Sequence, residues 1–196
     1  KNLVLSMAIA TRFLGFLGTT AVRFLMPIYL ISVRDIQEAA AGGILFLTSL
    51  GMAMAASSSG RLGDRIGERP FTIVGFLMVI VTALAFTFFT SDTSLWIVMF
   101  VLLVNGLAMG LWGVPNNSTI LGSVPREAFG VVGALTNLTR NVGNVTGQAI
   151  ASAVVVGVMA ADGFDIPLSE ITGNAAASGS FLEGWKLAYI LVTIFS

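Results

Sequence analysis

The chain has 196 residues, of which 56% are hydrophobic and only 10% are charged, and its ten basic and ten acidic residues give a formal net charge of zero. A soluble domain carries about 25% charged residues, so this sequence lacks the polar side chains needed to cover a water-exposed surface. Zero net charge gives no reason to expect a nucleic-acid partner. The absence of cysteine and histidine excludes disulfides, thiolate metal sites and catalytic triads that need either residue. We therefore expect no enzyme, no metal and no cofactor.

Long uncharged stretches predict an all-α integral membrane protein. Residues 39–60, 70–91 and 93–125 contain no Asp, Glu, Lys or Arg, and each exceeds the roughly 20 residues that a helix needs to cross the hydrocarbon core. In chain order we predict membrane helices at about 3–32, 39–59, 70–90, 94–120 and 127–161, and an incomplete one at 183–196. Because the last stretch has too few apolar residues to cross, we expect a fragment that is truncated at both ends.

The basic residues in the predicted connections are distributed unequally. One side would hold Lys1, Arg61, Arg65, Arg69 and Arg126, and the opposite side only Arg34 and Lys186. Since short cytoplasmic loops carry the excess of Lys and Arg, we expect a multi-pass protein of the cell membrane with a cytoplasmic N-terminus. The segment 162–182 is then a flexible exterior loop, rich in Gly and Ser.

Residues 59–70 read SGRLGDRIGERP, an ordered motif that covers the predicted connection at 60–70. Its frame of Gly60, Asp64, Arg65, Gly67 and Arg69 resembles the loop signature of the major facilitator superfamily, although Glu68 stands where a basic residue is usual. The resemblance implies that this is a cytoplasmic gating loop, made of Gly60, Arg61, Asp64, Arg65, Gly67 and Arg69. The alternative is a turn that only supplies inside positive charge.

A second stretch extends the resemblance over nearly the whole chain. PNNSTILGSVPREAFGVVGALTNLTRNVGNVTGQAIASAV looks like the second half of the 14-helix drug:proton antiporter branch, with Arg140, Gly143, Gly147 and Ala149 in its recurring pattern. This implies the C-terminal six-helix half of a secondary transporter that works by alternating access against a missing N-terminal half. It also implies export of drug-like amphipathic or cationic compounds in exchange for protons.

Polar residues share faces on three of the predicted helices. Such residues are costly in a membrane and usually face a cavity or a partner, so at ~100° per residue we predict a cavity lining. Its members are Arg12, Arg23, Asn105, Trp112, Asn116, Asn137, Arg140, Asn141, Asn144 and Gln148. The small residues Gly106, Gly110, Gly143 and Gly147 predict close helix packing. A structural hydrogen-bond network is the alternative for the polar face of the fifth helix, and Trp112 could be a stacking wall or an interfacial anchor.

Two other functions stay open. The first is a carrier of the same superfamily for another substrate class, such as sugars or organic anions, because Arg12, Arg23 and Arg140 suit an anion better than a cation. The second is a non-transporting membrane sensor or assembly subunit. The first five predicted helices have no Asp or Glu well inside their spans, so a proton-binding carboxylate is expected in the missing half.

Overall fold

The structure, a computed structural model, describes residues 3–168, 171 and 174–195, with only the backbone of Asp64, Val192 and Phe195. This described part contains helices and no strands. Helix α1 (Leu3–Ile28) continues as a π-helix (Tyr29–Val33), followed by α2 (Glu38–Ile66), α3 (Arg69–Thr87), α4 (Leu95–Gly122), a 3-10 turn (Arg126–Ala128), α5 (Phe129–Ala161) and α6 (Ala175–Phe195). Within the same residues, the five segments up to Ala161 are long and apolar enough to cross a membrane. The predicted all-α membrane fold is confirmed.

Helix α4 lies between several of the other helices. It packs against α2 on one side and α3 on another, whereas α1 packs mainly against α5, and α5 also contacts α6. At one end of the bundle the Thr119 hydroxyl donates to Glu68 Oε2 at 2.8 Å, which ties the end of α4 to the turn between α2 and α3. The start of α1 reaches the same end through Ala8, whose carbonyl oxygen accepts from Asn116 Nδ2 at 3.3 Å.

Glycines allow close approach of the backbones in two helix pairs, α2 with α4 and α1 with α5. On α4, a Cβ at Gly106 would overlap the carbonyl of Thr48, and one at Gly110 would stand 2.5 Å from the carbonyl oxygen of Met52, both on α2. On α5, a Cβ at Gly143 would stand 2.9 Å from the carbonyl oxygen of Phe13 on α1. Gly147, one turn on, meets the backbone of α1 even more closely. Small residues of this kind allow helix backbones to approach each other in a membrane.

The opposite end of the bundle is closed by an aromatic cluster, which consists of Tyr29, Phe86, Phe89, Trp185 and Tyr189. The Tyr29 hydroxyl donates to the Thr90 carbonyl at 2.8 Å, and Arg34 Nη1 donates both to the Tyr29 oxygen at 3.2 Å and to the Thr93 carbonyl. Trp185 on α6 is fully buried, and its Nε1 donates to the Phe86 carbonyl of α3 at 2.7 Å. The end of α1, the α3–α4 connection and α6 are therefore fixed to one another.

Two predicted connections are shorter in the structure than in the sequence analysis. Helix α2 runs on to Ile66 through most of the predicted loop 60–70, and only Gly67 and Glu68 separate it from α3. Gly67 ends α2 because its φ of 90° lies in the left-handed region that glycine tolerates. The predicted exterior loop 162–182 also loses its last part, because α6 begins at Ala175 rather than near 183.

The early start of α6 has a local cause. Asn174 Oδ1 accepts a hydrogen bond from the backbone N–H of Ala177 at 3.1 Å, which is the side-chain capping that Asn favours at a helix N-terminus. Ala177 and Phe181 are then fully buried against the aromatic cluster. The Gly and Ser content of this segment indicated a loop, whereas the cap and the buried stripe make it a helix.

Candidate functional site: a central cleft rich in arginine

A cleft of about 480 Å³ lies between α1, α2, α4 and α5. Its lining residues are Arg12, Phe16, Arg23, Met52, Ala56, Met109, Gly110, Trp112, Gly113, Val114, Arg140, Asn141 and Asn144. Six of the ten residues predicted to line a cavity therefore meet here, from three different helices. We call this the central cleft.

Arg12 is the most enclosed charged group of the central cleft. Only 7% of its surface is exposed, and its Cζ lies 5.3 Å from the centre of the Phe16 ring. Residues four apart lie on one face of a helix, so the sequence of α1 itself places the guanidinium over this ring. Arg12 Nε is buried without a hydrogen-bond partner, which leaves a donor of a fixed positive charge unsatisfied.

Two further arginines add positive charge to the same space. Arg23 and Arg140 both line the cleft and are exposed, and Arg140 acts on Arg12 as a like charge. Among the residues whose side chains are described, none of the three guanidinium groups makes an ion pair. The described part also contains no group of three or more His, Cys, Asp or Glu that could hold a metal ion.

Asn144 joins the two helices that carry the arginines. The Thr20 hydroxyl of α1 lies 2.7 Å from Asn144 Oδ1 of α5 and 2.7 Å from the carbonyl oxygen of Phe16 on its own helix, close to the glycine contacts that bring these helices together. A side-chain carbonyl oxygen has two lone pairs, so Asn144 keeps one acceptor position as well as its amide NH₂ group for a ligand. Asn141, one turn earlier on α5, also lines the cleft and is exposed.

Trp112 is enclosed rather than open. Its side chain is 1% exposed, with ring centres of Phe16 and Phe76 at 5.4 and 5.9 Å. A Cβ at Gly15 would stand 2.5 Å from the indole ring, so glycine at that position makes room for it. This burial fits neither an interfacial anchor nor a free stacking wall. The indole Nε1 is nevertheless buried without a partner.

The remaining four predicted lining residues lie outside the central cleft. Asn105 is 2% exposed and donates through Nδ2 to the Thr82 hydroxyl of α3 at 2.9 Å, at the edge of a smaller adjoining cleft. Asn116 is 3% exposed and bonds to α1 at the end of the bundle, as described above. Asn137 and Gln148 are exposed on α5 and line none of the clefts described here. Asn105 and Asn116 thus connect helices.

The signature residues surround the sharp turn between α2 and α3. Gly60, Arg61, Asp64 and Arg65 lie in the last turns of α2, Gly67 makes the turn, and Arg69 opens α3. The arginine side chains are exposed, whereas the side chain of Asp64 lies outside the described residues. Glu68, which departs from the signature, is the residue that accepts the hydrogen bond from Thr119.

The comparison with known proteins decides the family. The Major Facilitator Superfamily matches residues 1–148 of the chain. The chain belongs to the major facilitator superfamily. The superfamily is one of membrane transporters and not of enzymes, and the central cleft is a cleft within a major facilitator fold.

Relatives within the superfamily are named for different functions. The riboflavin transporter RibZ of Clostridioides difficile (strain 630) is 29% identical over 68% of this chain and 29% of its own length. The uncharacterized MFS-type transporter YcnB of Bacillus subtilis (strain 168) is 28% identical over 88% of this chain and 34% of its own. A multi-drug resistance efflux pump PmrA homolog of Lactococcus lactis is 30% identical over 56% of this chain and 27% of its own length. The chain thus spans about a third of the length of these relatives.

The sequence analysis did not single out Phe16 and Met52 of the cleft lining, nor Thr20, which contacts Asn144. Phe16 could have been found, because it lies four residues after Arg12 and therefore on the same face of α1. Thr20, the partner of Asn144, is a residue whose hydroxyl is usually satisfied on its own helix backbone, so its sequence gives no signal. Met52 lies in an apolar run of α2 that looks uniform in the sequence, and only the packing against α4 brings it to the cleft.

Proposed function

We propose that this chain is the C-terminal half of a secondary transporter that exports amphipathic drug-like compounds through the central cleft, in exchange for protons. The observation that carries the proposal is the cleft itself. It gathers polar side chains of α1, α4 and α5 inside helices whose outer faces are apolar. Ligand sites typically measure about 300–1,000 Å³, so about 480 Å³ is enough for a compound of drug size.

The mechanism that fits this proposal is alternating access. A second half, outside this chain, would cover the exposed face of the cleft, and the two halves would rock about the bound compound. The relatives are about three times as long as the part they share with this chain, which leaves room for such a half. By resemblance, the turn between α2 and α3 closes the cytoplasmic side, with the N-terminus of the chain on that side.

The charge of the cleft narrows the substrate class that the resemblance implies. Three arginines line it, and none of their guanidinium groups is neutralised by a described carboxylate. A cationic compound in this cleft would meet like charge that no described carboxylate compensates. Amphipathic compounds without net positive charge are therefore the part of the implied class that the cleft supports. Proton binding is assigned to the half outside this chain.

Efflux from whole cells tests this function. The full-length gene would be expressed in a drug-hypersensitive bacterium, and loss of preloaded fluorescent amphipathic compounds would be followed with and without a protonophore. We expect efflux that depends on the gene and stops when the protonophore collapses the proton gradient.

The control is the same strain with an empty vector, with membrane insertion checked by immunoblot of the membrane fraction. Efflux that persists with the protonophore would contradict the coupling to protons. With the protein inserted, no efflux of any compound would contradict the export of drug-like substrates.

A further inference from the structure

The polar side chains of the central cleft are nearly all hydrogen-bond donors. Arg12, Arg23 and Arg140 have no acceptor atom, and the Trp112 indole has only its N–H. Asn141 and Asn144 carry the only side-chain carbonyl oxygens among the described lining residues, and that of Asn144 also contacts Thr20. Such a cleft is complementary to a ligand that accepts hydrogen bonds and carries negative charge.

Two of these donors are buried and unsatisfied. Arg12 Nε and Trp112 Nε1 have no partner among the described residues, although both side chains are more than nine-tenths buried. Buried donors normally have a partner, and an unpaired one needs an explanation. Because both residues line the same cleft, one bound group with several acceptor oxygens could satisfy donors on α1 and α4 together.

The rest of the lining is apolar and partly aromatic. Phe16 lies under the Arg12 guanidinium, and Met52, Met109 and Val114 cover the other walls. A small inorganic anion would leave these surfaces unused. A ligand with an acidic group and a flat apolar body would use both the donors and the walls.

We propose that the central cleft binds amphipathic organic anions, in which a carboxylate or sulfonate contacts the arginines of α1 and α5 and an aromatic body lies against Phe16 and the methionines. This inference rests on the proposed transport function and adds the charge of its substrate. The competing explanation is that carboxylates from the half outside this chain neutralise the arginines. Both explanations place negative charge in the cleft, and only the first makes the charge part of the transported compound.

Two dyes with the same ring system and opposite charge separate these explanations. Fluorescein is an anion and rhodamine 123 a cation, and both have a xanthene core. Everted membrane vesicles that contain the full-length protein would be energised, and uptake of each dye would be measured as initial rate against concentration. We expect higher kcat/KM for fluorescein than for rhodamine 123.

Substitution of the arginines tests whether the preference for fluorescein over rhodamine 123 arises in the central cleft. A hydrogen bond to a charged group is worth about 1.5–3 kcal/mol, so Arg23→Gln and Arg140→Gln should each raise the KM for fluorescein by about tenfold or more. Both side chains are exposed in this chain, which makes loss of folding a smaller risk than at Arg12. Arg126→Gln, an exposed arginine outside the cleft, is the matched control and should leave the KM unchanged.

The possible failures are distinguishable. Uptake of rhodamine 123 without uptake of fluorescein would overturn the anion proposal and leave the export function standing. An unchanged fluorescein KM in both arginine variants, with lower thermal stability, would show that the arginines pair with carboxylates of the protein. No uptake of either dye by inserted protein would overturn the export function and the anion proposal together.

Discussion

At the scale of single residues, the polar and small side chains of α4 divide between cleft and packing. The face of a helix can be calculated from the sequence, because its period is fixed. The neighbouring helix that this face contacts cannot be calculated from the sequence in the same way. Asn105 and Trp112 share a face with Asn116, yet Asn105 bonds to α3 and Trp112 is enclosed by rings of α1 and α3. Asn116 bonds to the backbone of α1.

The contact of Gly106 with α2 gives a sharp test at this scale. In Gly106→Ala the new methyl group would overlap the backbone of Thr48, so α2 and α4 must separate. We expect a loss of about 1–3 kcal/mol in stability, as in other overpacked sites. The readout is the thermal unfolding temperature of the purified full-length protein in detergent.

Gly113 on the same helix is the matched control. A Cβ at that position meets nothing within 4 Å, and alanine is favoured over glycine in a helix by about 1 kcal/mol. Gly113→Ala should therefore be neutral or stabilising. Equal unfolding temperatures for the two variants would contradict the close approach of α2 and α4.

At the scale of helices, the sequence predicts the apolar segments well and their ends less well. The uncharged stretches indicated where α2, α3 and α4 lie, because a membrane helix needs a continuous apolar run. The ends depend on individual hydrogen bonds. Helix α2 continues through charged residues to Ile66 until Gly67 turns the chain, and α6 begins at a cap supplied by one asparagine. Amino-acid composition predicts neither the end of α2 nor the start of α6.

The cap of α6 can be removed without changing the helix itself. In Asn174→Ala the backbone N–H of Ala177 loses its side-chain acceptor, and such a loss typically costs about 1 kcal/mol. We expect faster hydrogen exchange at residues 175–178, measured by mass spectrometry of the protein in detergent, with little change further along α6. Asn174→Asp, which retains an acceptor oxygen, should keep the slow exchange.

Equal exchange in the Asn174→Ala variant and the parent protein would show that burial of Ala177 and Phe181 alone holds the first turn.

At the scale of the whole molecule, the signature turn and the central cleft are separate sites of one helix bundle, and α4 contacts both. The turn is tied to α4 through Glu68 and Thr119, and α4 in turn forms a wall of the cleft. Helix α4 therefore connects the site of proposed gating with the site of proposed binding, with Pro115 inside the helix between them. The sequence predicted both sets of residues, but it gave no indication that Glu68 makes this connection.

Asp64 tests the gating role that the resemblance implies. Replacement by Asn removes a negative charge and keeps the size of the side chain, so insertion and binding of substrate to the cleft should persist. We expect Asp64→Asn to reduce efflux at least about tenfold, which corresponds to about 1.4 kcal/mol, in the whole-cell assay. Unchanged efflux would reduce the motif to a turn that carries inside positive charge.

The fixed end of α1 has a mechanical consequence for the arginines. Tyr29 and Arg34 hold that end to the α3–α4 connection, and Pro27 lies just before it inside the helix. Proline has no N–H, so the backbone carbonyl of Arg23 lacks its usual helical partner at this point. Helix α1 is thus least strongly held by its own backbone beside this anchor, whereas further along it is packed closely on α5. A change of angle at Pro27 would move Arg12 and Arg23 together and would carry α5 with them, because α5 is packed on this part of α1.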